Sequence, residues 1–233
     1  MEQTSPSSQG GKYIKSIVYG GLDGIITTFA VVSGVAGGGL ALRIVLILGF
    51  SNLLADGFSM AIGDYLSTKS ENEYKQGARQ HKRQALIKNH DGEIKKLSNY
   101  FINEGLDDQD AHLLVSTLAK YETPFIEQIM KMQYGPDDTD KSPLKNAIVT
   151  FMSFFIFGLI PLLAYVLTVY FPELSSHAFL IASVLTGVTL FILGTLKSKV
   201  TKSKWIRSGV EMLIVGGLAA FVAYVVGFTL GGI

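Results

Sequence analysis

The sequence predicts an all-α polytopic membrane protein: five transmembrane helices with a cytosolic helical insert between helices 2 and 3. Three observations carry this reading. The chain is 48% hydrophobic and only 17% charged, with a mean hydropathy of +0.34, whereas soluble domains carry about 25% charge. The charge is segregated: 13 of 19 acidic and 12 of 20 basic residues lie within 67–145. The remainder contains five long apolar stretches, at 17–40, 44–66, 147–170, 178–196 and 210–233. A bilayer core of roughly 30 Å needs about 20 such residues as helix. These features exclude a disordered chain, an ordinary soluble globule and, at a formal charge of +1, a nucleic-acid binder driven by net charge. The absence of cysteine excludes disulfides, thiolate metal sites and cysteine nucleophiles.

The chain divides into a polar cytosolic tail (1–16), transmembrane helices 1 and 2 (17–66), the insert (67–145) and helices 3–5 (146–233). Gly37, Gly38, Gly39 and Arg43 mark a tight turn between the first two spans. Pro161 falls inside the third span, where membrane helices tolerate it, and predicts a kink. Span one is too long, and too interrupted by Asp23, for the apolar region of a cleaved signal peptide. Orientation follows from Lys and Arg. Lys12 and Lys15 in the tail, the basic residues of the insert, and Lys197, Lys199, Lys202, Lys204 and Arg207 between spans four and five place those segments in the cytosol. The link 171–177 has no Lys or Arg and lies opposite; Arg43 is a small exception. Five spans then leave the N-terminus and insert cytosolic and the C-terminus on the other side.

The insert reads as helical. Residues 67–88 prolong span two out of the membrane. A second helix fits 92–104, stopped by Gly105. Asp107 or Asp108 caps a third, with Leu113, Leu114 and Leu118 on one face. Thr123-Pro124 opens a fourth, ended by Gly135-Pro136. Its apolar content is low, which predicts a need for a partner copy to bury its surface.

Ionisable residues inside a span are costly and mark function by default. Span two carries Asn52, Asp56, Met60 and Asp64 at steps of four, a slowly winding stripe about 18 Å long. Span one presents Asp23, Thr27, Ala30, Gly34 and Gly37 on a small, polar face that lets a neighbouring helix approach. Carboxylates beside a thioether suit a divalent first-row cation better than magnesium or calcium. Bland readings stand beside these. Asp64 near the membrane edge fits a solvated or capping residue, Asn52 interhelical hydrogen bonding, and Met60 packing as well as ligation. Glu211 suits the start of span five. Asp23 and Asp56 are the hardest to explain structurally. His81, His90, His112 and His177 show no ligand spacing, and no phosphate loop or nucleophile motif is present. The residues therefore point away from an enzyme and from a prosthetic group.

The stretches LDGIITTFAVVSGVAG (22–37) and NLLADGFSMAIGDYLSTKSE (52–71) resemble the vacuolar iron transporter family, and the layout agrees along essentially the whole chain, including GLIPLL at 158–163. The resemblance implies a homodimer in which both copies of span one line the path. It implies export of Fe²⁺, and often Mn²⁺, from the cytosol into a vacuole or out of the cell in exchange for protons, in a vacuolar or bacterial inner membrane. Asp23 matches the family's essential span-one aspartate and Met60 its span-two methionine. Asn52 stands where the plant proteins have a glutamate. In the family the insert binds metal through glutamates on its first two helices and a Met-Met-x-x-Glu type cluster on its last. Here ARQHKRQALIK (78–88) is basic or neutral at those places. Glu93 fits one second-helix position but is followed by Lys96, and Met130 is retained while the acid becomes Gln133. The stripe of span two and the resemblance together give a candidate metal set of Asp23, Asp56, Met60, Glu93 and Met130, with Asn52 and Asp64 along the path. A degenerate insert motivates an alternative: a membrane scaffold or metal sensor that keeps the fold without transport.

Overall fold

The structure, a computed structural model, describes residues 6–135 and 142–231. Pro136, residues 1–5 and the final two residues of the predicted fifth span lie outside the described residues. Among the described residues eight α-helices follow one another: α1 (Pro6–Gly37), α2 (Leu42–Lys88), α3 (His90–Asn103), α4 (Asp108–Leu118), α5 (Glu122–Tyr134), α6 (Pro143–Tyr170), α7 (Ala178–Thr201) and α8 (Trp205–Leu230). A 3₁₀ turn, Pro172–His177, joins α6 to α7. Five helical segments of the described residues are long and apolar enough to cross a membrane, in α1, α2, α6, α7 and α8. The chain separates into two units, one made of Met1–Leu66 with Pro143–Ile233 and the other of Ser67–Ser142.

The first unit is built on small residues at helix crossings. A Cβ on Gly158 of α6 would stand 2.8 Å from the Gly24 carbonyl oxygen of α1, and one on Gly20 would stand 2.9 Å from the Thr150 carbonyl oxygen. Only glycine lets these backbones touch, the usual device of membrane helices, which gain no hydrophobic drive from one another. Leu53 of α2, Val32 of α1, and Phe154 and Leu162 of α6 form the centre of its largest core. A second cluster joins Ile25 of α1 to Leu190 and Leu193 of α7 and Met212 of α8. The α1–α2 turn holds Gly39 at φ +63°, a conformation other residues adopt at a cost. α1 begins at Pro6, inside the segment read as a polar tail. α6 is helical from end to end through Pro161.

The small face of α1 has an occupant within the chain. A Cβ on Gly37 would run into the Tyr224 carbonyl of α8, and one on Gly227 of α8 into the Gly34 carbonyl. The glycine end of the face expected to receive a neighbour therefore receives α8.

The second unit has its own core of Leu97, Val115, Phe125 and Ile129. α3 is capped by Asn89, whose side chain accepts from the Gly92 N–H, and α4 by Asp107, accepting from Asp110. α4 buries Ala111 and Val115, while Leu113 is 68% and Leu114 37% exposed. The face expected from the leucines is thus displaced: the short side chains turn inward and the two leucines outward. α5 starts at Glu122, without a side-chain cap, rather than at the Thr123-Pro124 step, and ends on Gly135 at φ +76°. The arginines in its polar stretch are paired. Arg79 makes a two-pronged contact with Glu127, at 2.8 and 3.3 Å, and Arg83 lies 3.2 Å from Glu122.

Candidate transport site

Two carboxylates face each other across the first hairpin of the membrane unit. Asp23 stands fourteen residues before the end of α1, and Asp56 fourteen residues after the start of α2. At about 1.5 Å per residue both lie roughly 21 Å from the connecting turn. The helices run antiparallel through that turn, so equal distances bring the two side chains to one level. They are close enough for the Asp56 charge to act on Asp23. Both are half-buried. Neither carboxylate makes a hydrogen bond or an ion pair with any described residue.

The same counting places Asn52 level with Thr27, ten residues from the turn on each side. The Thr27 hydroxyl is committed to its own helix, donating to the Asp23 carbonyl at 2.8 Å. Asn52 is half-buried. Met60, one turn beyond Asp56, packs against the main core of the unit.

Asp64 differs from these. Its carboxylate accepts from Asn146 Nδ2 at 2.7 Å and from Thr150 Oγ1 at 2.5 Å. The Asn146 Oδ1 accepts in turn from Ser16 Oγ at 3.0 Å, and Ser153 Oγ donates to the Ile17 carbonyl at 2.5 Å. One layer of polar side chains therefore ties α1, α2 and α6 together. Sequence reasoning missed Asn146, Thr150 and Ser153. Their spacing of four and three on an otherwise apolar helix was the available signal, but the third span was begun at residue 147.

The residues expected to hold metal in the insert are otherwise engaged. Met130 is a core residue. Glu93 is buried, with its Oε1 2.7 Å from Lys96 Nζ. Among the described residues no three His, Asp or Glu side chains gather as a ligand set. Glu211 pairs with Lys197 at 3.6 Å.

A family model described as "VIT family" matches residues 14–228, from the first membrane helix into the last. The chain belongs to the VIT family. Among its relatives is the vacuolar iron transporter of Toxoplasma gondii, 35% identical over 223 residues, covering 92% of this chain and 73% of the relative. The vacuolar iron transporter of Plasmodium falciparum is 34% identical over 223 residues, covering 93% and 82%. Vacuolar iron transporter 1 of Arabidopsis thaliana is 27% identical over 215 residues, covering 92% and 84%. VIT family membership makes this chain an integral membrane transporter rather than an enzyme. Both facing aspartates, Asn52, Met60 and the Asp64 layer fall inside the matched region.

Proposed function

We propose that this VIT family member exports Fe²⁺, and also Mn²⁺, from the cytosol by exchange for protons, as a homodimer. One observation carries the proposal: Asp23 and Asp56 lie at one level of the membrane helices with no partner but each other. A charge within a span is expensive unless something compensates it. A divalent cation would do so for two carboxylates. Protons compete with a cation for the same oxygens, so one pair can carry either load in turn. That alternation is what antiport requires. The relatives' names supply iron as the ion.

Asn52 and Met60 extend this path on α2, offering an amide oxygen and a thioether; sulfur favours iron and manganese over magnesium or calcium. Asp64, both of whose oxygens are occupied by α6 donors, is assigned to holding helices together. A homodimer fits because the carboxylate pair is only half-buried in one chain, and a second copy would remove it from lipid. The Lys and Arg distribution supports a cytosolic N-terminus and insert and a C-terminus on the opposite side, in a vacuolar or bacterial inner membrane. The insert, with Glu127, Glu122 and Glu93 paired with Arg79, Arg83 and Lys96, acts without a dense metal cluster.

Proteoliposome flux tests the reading. With a pH gradient the protein should move Fe²⁺ and Mn²⁺ while carrying protons the other way. Asp23→Asn should keep the fold and the dimer and abolish the pH-driven flux. Wild-type flux in Asp23→Asn, at matched reconstitution, would refute the mechanism, and a cross-linking pattern of pure monomer in lipid would refute the dimer.

A further inference from the structure

The end of α7 and the start of α8 border an open groove of about 690 Å³ that the transport reading does not use. Phe191 and Trp205 supply an apolar wall, their rings edge to face at 6.2 Å. Lys199, Lys202, Ser198 and Ser203 line the rest. Lys202 closes α7 in a left-handed conformation, φ +53°, the one described non-glycine residue with positive φ. A side chain there costs free energy that glycine or asparagine would avoid, yet the position carries an ammonium on the groove wall.

The cations here are unneutralised. Lys197 takes the Glu211 carboxylate. Lys199, Lys202, Lys204 and Arg207 have no acidic partner among the described residues. Thr201, Ser203 and Ser208 are joined by two hydroxyl–hydroxyl bonds of 2.9 Å each. The Thr201 hydroxyl also donates to the Lys197 carbonyl at 3.2 Å, so these three O–H groups are used within the turn and the free donors are the ammonium groups. Trp205 is 57% exposed at the first position of a membrane-spanning helix, where indole rings sit at headgroup level.

We infer that this groove binds the headgroup of an anionic phospholipid, with a phosphate on Lys199 and Lys202 and the upper acyl chain along Phe191 and Trp205. Charge complementarity selects the headgroup: four cations without an acidic partner, beside a Glu211 carboxylate already taken by Lys197, disfavour a zwitterionic or cationic occupant. The mixed lining selects a lipid over a free anion, because the apolar wall adds nothing to a fully hydrated phosphate. The positive-inside distribution puts the site in the cytosolic leaflet, where anionic lipids concentrate. The inference does not depend on what the protein transports.

Trp205 is the sole tryptophan of the chain and so reports on the site directly. The full-length protein in mild detergent is titrated with phosphatidylglycerol or phosphatidylcholine brominated near the headgroup, and indole quenching is read. Saturable quenching by phosphatidylglycerol at far lower mole fraction than by phosphatidylcholine is expected. The double variant Lys199→Gln/Lys202→Gln should weaken it roughly 30-fold, the scale of two ammonium contacts at a membrane surface. Lys202→Arg should retain it, and Lys95→Gln, in the other unit, should leave it unchanged. Equal quenching by the two lipids, or a double variant that quenches like wild type, overturns the site. Full displacement of phosphatidylglycerol by millimolar inorganic phosphate overturns the lipid in favour of a soluble anion. A double variant that elutes as aggregate is replaced by Lys199→Gln alone, whose expected loss is about fivefold.

Discussion

Asp64 is the residue at which structure and transport roles separate most cleanly. Asp64→Ala removes the acceptor for Asn146 Nδ2 and Thr150 Oγ1 at once. Both donors are interior, Asn146 at 6% and Thr150 at 2% exposure. In water-soluble proteins a hydrogen bond to a charged group contributes about 1.5–3 kcal/mol. Between membrane helices the measured mean is nearer 0.6 kcal/mol, with a maximum of about 1.7, because the unfolded state in lipid finds other partners. The lower scale applies here: Asn146 has further interactions, and Thr150 can turn its hydroxyl to its own helix. Two such bonds give a loss of about 1–3 kcal/mol, a fall in Tm of roughly 3–10 °C for a chain of this size. Thermal unfolding in one detergent, followed by loss of helical signal, measures it. A double-mutant cycle with Thr150→Val isolates the bond, and coupling of about 0.5–1.5 kcal/mol is expected. A Tm for Asp64→Ala within 1 °C of wild type, together with no coupling, would show that the contact holds nothing.

Other consequences are open to direct measurement. Gly24→Ala places a methyl group against the Phe154 carbonyl and should lower Tm sharply, whereas Gly63→Ala, with open space around it, should hold or raise Tm by about 2 °C. Met60→Leu keeps the packing volume but removes the thioether, so the Fe²⁺ to Mn²⁺ flux ratio should shift toward the harder ion; an unchanged ratio removes sulfur from the path. The hydrogen bond to Tyr134 holds the Tyr74 phenol above the ordinary tyrosine range. Its stabilising contribution is present below the ordinary phenol pKa and is lost as pH rises through the higher folded value. Tyr134→Phe should bring the Tyr74 titration down in ultraviolet difference spectra, and an identical curve would exclude the bond. Calorimetry of the full chain carrying Asp23→Asn should find no tight Fe²⁺ or Mn²⁺ sites, since Glu93, Glu122 and Glu127 are already paired and no three His, Asp or Glu gather among the described residues; several sub-micromolar sites would contradict that.

The membrane helices were legible because a run of apolar residues long enough to span a bilayer has few other uses. The level of Asp23 and Asp56 was also countable from the glycine turn, although the sequence reading took each span alone. What periodicity could not supply was the neighbour. It set Gly34 and Gly37 on a small face but could not say that α8 of the same chain would fill it. In α4 it favoured the largest apolar residues, but the buried pair is Ala111 and Val115, and Leu113 and Leu114 turn outward. Lys96 looked like a missing ligand beside Glu93; in space it is that carboxylate's ion-pair partner. Asn146 and Thr150 were invisible as a site because their meaning lies in an aspartate some eighty residues earlier.

The acidic side chains sort by what accompanies them. On the polar stretches, Glu71 meets Lys75, Glu122 meets Arg83 and Glu127 meets Arg79. At the margin of the membrane helices, Asp64 meets two neutral donors and Glu211 a lysine. Asp23 and Asp56 meet each other. Like charges side by side in a span are unfavourable twice over, through desolvation and through repulsion. A fold that needed them only for stability would gain by replacing either with an apolar residue, as buried ion pairs often can be replaced. The arrangement becomes favourable only when positive charge arrives from outside the chain. Two carboxylates can accept it as a divalent ion or as protons, but an oxygen holding one cannot hold the other. The same feature that makes the empty site costly is therefore what would couple the two flows.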